Sequence, residues 1–264
     1  MNKEIAIGIL VAVAIAGGLA YKYYGPWPAP QDKTEPSAPP SPAAPVDEPI
    51  QYPVPATAQE APLPALAESD QAFRGSLEQL FGKPPLDAYL VPRNLIARLV
   101  ATIDSLDREP VPLRTRVMKP APKALAVDTE GDRIFLSAKN SERYRPLMAA
   151  LQTVDGKTIA ELYLRYYTLF QQAYVELGFP KGYFNDRLIR IIDHLLATPE
   201  VQGPIALVRP TVAYRFADPE LESRSSGQKI LLRLGADHAA ALKAKLREIR
   251  RVITEAPTEA DRGA

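Results

Sequence analysis

The sequence predicts a mostly α-helical domain of about seven helices with two small β-hairpins, preceded by a single-span N-terminal membrane anchor. Three observations predict it. From residue 66 onward apolar residues recur at spacings of three and four, as in Ile159, Leu162, Tyr163, Tyr166, Leu169, Phe170, Ala173, Tyr174 and Leu177. Two short stretches instead alternate around turn residues, near Gly131 and near Pro210. At the other end, Ile5 to Tyr21 is a run of seventeen residues without a charge.

Each element has its local signal. Ser69 is placed to cap a helix that carries Leu77, Leu80 and Phe81 and stops at Gly82. Pro84-Pro85 breaks the chain, and Pro92 suits the first turn of a second helix bearing Leu95, Ile96, Leu99, Val100 and Ile103. Residues 108–122 cross in extended form. Ala124 to Val127 and Ile134 to Leu136, joined at Glu130-Gly131-Asp132, make the first hairpin. Asn140 caps a helix through Leu147, Leu151 and Val154, and Asp155 caps the strongest helix, which Gly178 stops. Phe184 to Ala197 is the next helix, ended by Pro199. Ile205 to Val208 and Val212 to Phe216 form the second hairpin. Asp218-Pro219 starts a helix running to Arg233, and Ala236 to Ile253 is the last.

The chain divides by composition into an anchor (1–24), a Pro/Ala-rich unfolded linker (25–65), a helical domain (66–254) and a disordered polar tail (255–264). Thirteen of the 27 prolines lie between Pro26 and Pro64. With few large apolar residues to offset ordering entropy, that tract reads as a polyproline II spacer of roughly 100 Å reach. The uncharged run would span about 25 Å as a helix, close to a bilayer core of about 30 Å. Tyr21, Tyr23, Tyr24 and Trp27 follow it as an interfacial aromatic belt. The lipid bilayer is thus the expected partner of residues 5–21, and the expected location is a bacterial inner membrane with the C-terminal domain in the periplasm. A cleaved signal peptide is the rival reading of the run, and the reversed topology is the rival orientation.

Composition excludes whole function classes. There is no cysteine, hence no disulfide scaffold, thiol catalysis or cysteine metal site. Two histidines, His194 and His238, leave little for a histidine metal site, and a net charge of +1 argues against a nucleic-acid binder. No cofactor signature occurs, and the HExxH, GxSxG and P-loop spacings are absent.

Several strings resemble a bacterial family catalogued as domain of unknown function 3014. They are Ala67-Glu68-Ser69-Asp70, Val91-Pro92-Arg93-Asn94, Gln171-Gln172-Ala173-Tyr174 and Tyr183-Phe184-Asn185-Asp186-Arg187. Further along come Ile192-Asp193-His194-Leu195-Leu196-Ala197-Thr198-Pro199, Asp218-Pro219-Glu220-Leu221-Glu222 and Gly227-Gln228-Lys229. The resemblance covers about residues 66–253. It implies a short membrane anchor, a Pro-rich linker and an exported domain, with no established activity.

The constellations that could carry chemistry are few. Asp193-His194 and Asp237-His238 are helix neighbours about 100° apart and form no dyad within either pair. Ser226-Gly227-Gln228-Lys229 has the S-x-x-K form without its companion elements. The last helix pairs a basic face, from Lys243 to Arg251, with a modest apolar one, which reads as a solvated face. Tyr183, Phe184, Asn185, Asp186 and Arg187, with Gln228 and Lys229, are the candidate partner-binding residues: an aromatic–polar patch for an envelope protein or glycan. The resulting expectation is a non-enzymatic binding or scaffold module of the cell envelope. The alternative is an envelope enzyme acting on cell-wall material through carboxylates such as Asp186 and Asp193.

Overall fold

The computed structural model describes residues 49–54, 62–108, 113–121, 124–211 and 213–255. The expected anchor run, most of the linker and the polar tail beyond Glu255 lie outside them. Among the described residues no helix is long and apolar enough to cross a membrane. The expected architecture of seven helices, two hairpins and a membrane span is corrected accordingly: the described residues hold ten α-helices and one four-stranded antiparallel sheet.

The N-terminal helices are α1 (Ser69–Phe81), α2 (Lys83–Tyr89) and α3 (Leu95–Asp104). Pro84 and Pro85 do not break the chain; they sit in the first turn of α2, where a missing N–H costs nothing. Ser69 is not a cap, since its hydroxyl donates to Leu66 O. Asp70 instead caps α3: its carboxylate accepts from Asn94 N (2.6 Å) and Leu95 N (2.7 Å) at the start of that helix. Asn94 takes a left-handed conformation (φ 50°) to begin that helix, later than Pro92 suggests.

Strands β1 (Val127–Glu130) and β2 (Arg133–Leu136) turn at Gly131, and β3 (Ala206–Val208) and β4 (Arg215–Phe216) form the second ribbon. The two ribbons join through Ile134↔Leu207 and Phe135↔Ala206, giving the order β1-β2-β3-β4. That seam links segments some 70 residues apart, and the sheet closes over a small apolar cluster of Leu125, Leu207, Phe216, Leu221 and Leu232.

Between the ribbons lie α4 (Arg145–Gln152), α5 (Gly156–Arg165), α6 (Tyr167–Glu176) and α7 (Phe184–Leu196). Asn140 does not cap α4. Its buried amide instead brackets Ala126, accepting from Ala126 N and donating to Ala126 O. Asp155 does cap α5, accepting from Thr158 N at 2.9 Å. The long helix expected from Asp155 breaks at Tyr166, and its two halves pack on different neighbours. After β4 come α8 (Pro219–Glu222), α9 (Ser226–Leu234) and α10 (Ala236–Thr254), because Ser225 interrupts the helix expected to run to Arg233 and caps α9. α5 lies along α10, α6 along α3, and α7 is packed by α3, α9 and α10.

A cluster of aromatic rings lies within the largely aliphatic core. Phe170 and Phe184 stack at 5.8 Å, and Phe73 meets Tyr166 edge-on at 5.0 Å. The buried Tyr166 hydroxyl keeps a partner, 2.9 Å from Ser76 Oγ. Where α5 crosses α10 the helices touch through Gly156, whose N–H donates to Glu248 Oε2 at 2.7 Å and whose absent Cβ would overlap Glu248 Cβ. Gly75 in α1 has no atom within 4 Å of such a Cβ. Gly156→Ala is therefore expected to destabilise by about 1–3 kcal/mol through overpacking, while Gly75→Ala stabilises by about 0.5–1 kcal/mol through helix entropy. Denaturant midpoints of the two variants check this, and equal shifts of one sign would contradict it.

Candidate functional site

Two of the family-like strings, through Arg187 and Gly227, meet at the C-terminal end of α3. Its last carbonyls are orphaned by helix geometry, and three sets of donors meet them. Arg187, in the first turn of α7, reaches Asp104 Oδ1 (2.8 Å), Asp104 O (2.6 Å) and both Asp107 carboxylate oxygens (2.7 and 2.8 Å). Arg108 pairs with Asp104 from the other side. The N-terminus of α9 supplies the third set: Ser226 N and Oγ donate to Arg108 O, and Gly227 N donates to Leu106 O at 3.0 Å. Gly227 allows that approach, since a Cβ there would stand 2.8 Å from Leu106 O.

The electrostatics follow. Burial pushes the Asp107 carboxyl up, but the hydrogen bond and charge of Arg187 outweigh it and hold Asp107 below the ordinary carboxylate range. Burial disfavours the Arg187 cation, yet Asp107 and Asp104 overcome that and raise its pKa further.

His194, near the other end of α7, places Nε2 2.7 Å from Ser225 Oγ. This resembles a nucleophile and its base. The chemistry stops there, because the four opening amides of α9 already have acceptors: Arg108 O, Leu106 O, Ser225 Oγ and Ser225 O. None is left to stabilise an oxyanion at that serine. The S-x-x-K lysine is also committed: Lys229 is 1% exposed and its Nζ lies 3.3 Å from Glu222 Oε1. Gln228, 4% exposed, donates to His194 O at 3.0 Å. Gln228 and Lys229 thus brace α9 against α7 and α8 from within the fold.

The Tyr183–Arg187 segment has two faces. Phe184 is fully buried in the core, and Asn185 is fully buried with residues 49–54 seated against it. Gln171 on α6 fixes the turn before them, accepting from Phe184 N (2.8 Å) and donating to Gly182 O (2.7 Å). Tyr183 and Asp186 face outward and meet residues 49–54 of the same chain, expected within the unfolded linker. Asp186 accepts from Gln51 N and Tyr52 N, each at 2.9 Å. Asn185 Nδ2 donates to Tyr52 O (2.9 Å), and Tyr183 OH accepts from Val54 N (2.7 Å). Tyr52 and Val54 lie partly buried against the main core, while Ile50 is 55% exposed.

Asn185 is held for this role from behind. Its Oδ1 accepts from Tyr163 OH (3.1 Å) and its Nδ2 also reaches Ile253 O (3.3 Å). Burial drives the Tyr163 pKa well up, so that hydroxyl stays a donor. Arg250 on α10 flanks Tyr52 and forms a bidentate pair with Asp193 (2.5 and 3.0 Å), which raises the Arg250 pKa; the Tyr52 hydroxyl adds to the rise.

Asp186 and Asp193, the carboxylates of the enzymatic alternative, are thus committed separately, one to backbone amides and one to a surface arginine. A cleft of about 600 Å³ lies elsewhere, between the sheet and the start of α10. The buried Lys243 lines it, with Nζ 2.6 Å from Thr198 O and facing Glu200. Among the described residues no group of three or more His, Asp or Glu is arranged to hold a metal ion.

The architecture is that of a helical module in which one turn clamps a helix end and meets residues 51–54. A family model described as "Protein of unknown function (DUF3014)" matches residues 95–250, and the chain belongs to that family. No curated protein and no solved structure matches it.

Sequence reading missed Asp104, Asp107 and Arg250, whose partners are distant in the chain. It also missed the docked segment, although Ile50, Tyr52 and Val54 concentrate large apolar residues within a Pro/Ala tract.

Burial lowers the His194 pKa below its ordinary 6.5; Asp107 opposes that, and Arg187 and Arg224 add to it. As pH falls through 6.5 the unfolded chain takes up that proton first, so stability declines. Asp107 acts in the same direction at lower pH: its contribution is present above 3.8 and lost as pH falls through the depressed value. Melting temperatures recorded from pH 7.5 to 5 should fall for the native protein and fall less for His194→Gln. Parallel curves would contradict the assignment.

Proposed function

We propose that this chain is a non-enzymatic binding or scaffold module of the bacterial cell envelope, with its folded part on the periplasmic side. One observation carries the binding reading. The Tyr183–Asp186 corner holds a peptide segment through its main chain, with four hydrogen bonds to Gln51, Tyr52 and Val54. Main-chain hydrogen bonds supply the affinity in one recurring mode of peptide recognition. The envelope setting rests on the sequence, through the uncharged run of residues 5–21 and the acidic Pro-rich tract after it.

The hold on the segment is small. Carboxylate bonds contribute about 1.5–3 kcal/mol each and neutral ones about 0.5–1.5 kcal/mol, with the half-exposed Asp186 at the low end. Ordering costs about 1–2 kcal/mol per residue. The two sides nearly cancel, and the partial burial of Tyr52 and Val54 decides the balance.

A photo-crosslinking amino acid at the exposed Lys181 or Ile50, introduced into the native chain in growing cells, tests the module reading. The expected result is a discrete adduct with an envelope component that weakens in Asp186→Ala. Absence of any adduct at both positions would overturn it.

A further inference from the structure

We propose that the corner formed by Tyr183, Asn185, Asp186 and Arg250 is an exchangeable peptide-binding site, and that residues 50–54 are its resident occupant in place of a partner segment of the same Tyr-Pro-aliphatic chemistry. This rests on the binding-module reading and names its ligand.

The contacts define what the site accepts. Two consecutive N–H groups, those of Gln51 and Tyr52, converge on one carboxylate, so neither ligand position can be proline. The next carbonyl but none of its side-chain atoms is bonded by Asn185, and the next N–H to be bonded belongs to Val54. Residue 53 is skipped. Proline fits there because it has no N–H to leave unsatisfied, and its fixed φ limits the freedom the ligand loses on binding. The aromatic position is selected by the half-buried berth of Tyr52 against the core and by Arg250 beside its hydroxyl. The aliphatic position is selected by the partly buried place of Val54.

The observations also favour exchange. The occupant contributes few buried side chains, Ile50 projects into solvent, and much of the receptor has partners of its own. Asn185 is held by Tyr163 and Ile253, the turn before Phe184 by Gln171, and Arg250 by Asp193. The Asn185 and Arg250 side chains and the turn that presents Asp186 thus keep their supports when the occupant leaves. A tethered segment also competes at high effective concentration, so an incoming peptide must outbid it and the resident segment sets a threshold for capture.

The test uses a fluorescent peptide of residues 48–56 and the purified full chain, read by anisotropy. The native chain should bind it weakly. A chain carrying Tyr52→Ala with Val54→Ala, which empties the site, should bind at least tenfold tighter. Asp186→Asn in that chain should lose at least tenfold. A peptide N-methylated at the Tyr52 amide keeps every side chain and removes one donor; it should also lose at least tenfold on the emptied chain, where protein folding is not in question. Equal affinity for native and emptied chains, no binding to an emptied chain that still melts cooperatively, or indifference to N-methylation would each overturn the proposal. Peptide binding as expected without adducts in cells would refute the envelope-scaffold reading and keep the site. Adducts without peptide binding would do the reverse.

Discussion

The pairing of Arg187 with Asp104 and Asp107 organises the rest of the structure. A helix end carries unsatisfied carbonyls and partial negative charge, and here that end is largely enclosed, with Asp104 7% exposed at its side chain. Leaving one partner of such a pair unopposed costs several kcal/mol. The guanidinium fork suits the task because its geometry serves two carboxylates and one carbonyl at once, which a lysine cannot do. The opening amides of α9 finish it from another direction. Three helices distant in sequence, α3, α7 and α9, are thereby fixed at one point.

What that point positions is the first turn of α7. Arg187 looks inward to the clamp, Asp186 beside it looks outward to Gln51 and Tyr52, and Asn185 lies between α10 and the segment. Gln171 sets how the chain enters this turn, and the stacked pair Phe170–Phe184 fixes its depth. The same five-residue string thus joins the core, the electrostatic clamp and the peptide-docking surface. The His194–Ser225 pair, which looks like catalytic machinery at two residues, is explained by the same frame: Ser225 caps the start of α9 where that helix packs on α7.

The helical character of the domain was legible in the sequence because the apolar spacing of three and four is a local property, and Asp155 as a cap needed only its own neighbours. Partnerships across long separations were not legible. Asp70 caps a helix that starts 25 residues later, Ile134 pairs with Leu207, and Asn140 brackets Ala126 where its own helix start seemed to call for it. Pro84-Pro85 misled because proline ends one helix as readily as it opens another. Tyr183 and Asp186 are half-buried at the surface, whereas Phe184 and Asn185 are fully buried by packing that periodicity around a helix start does not encode. Docking of residues 49–54 was hidden by the composition of the tract around them: average prolines and alanines concealed one Tyr-Pro-Val with a place to go.

The account's central claim is that the clamp at Arg187 holds the turn that captures residues 51–54. Amide hydrogen exchange on the full chain measures this directly, in the native protein and in Arg187→Lys. The account predicts slowed exchange at Gln51, Tyr52 and Val54 in the native chain. In the variant those three amides should exchange faster while amides within α5 and α10 stay protected. Free-chain exchange at the three positions in the native protein, or unchanged protection in the variant, would contradict it.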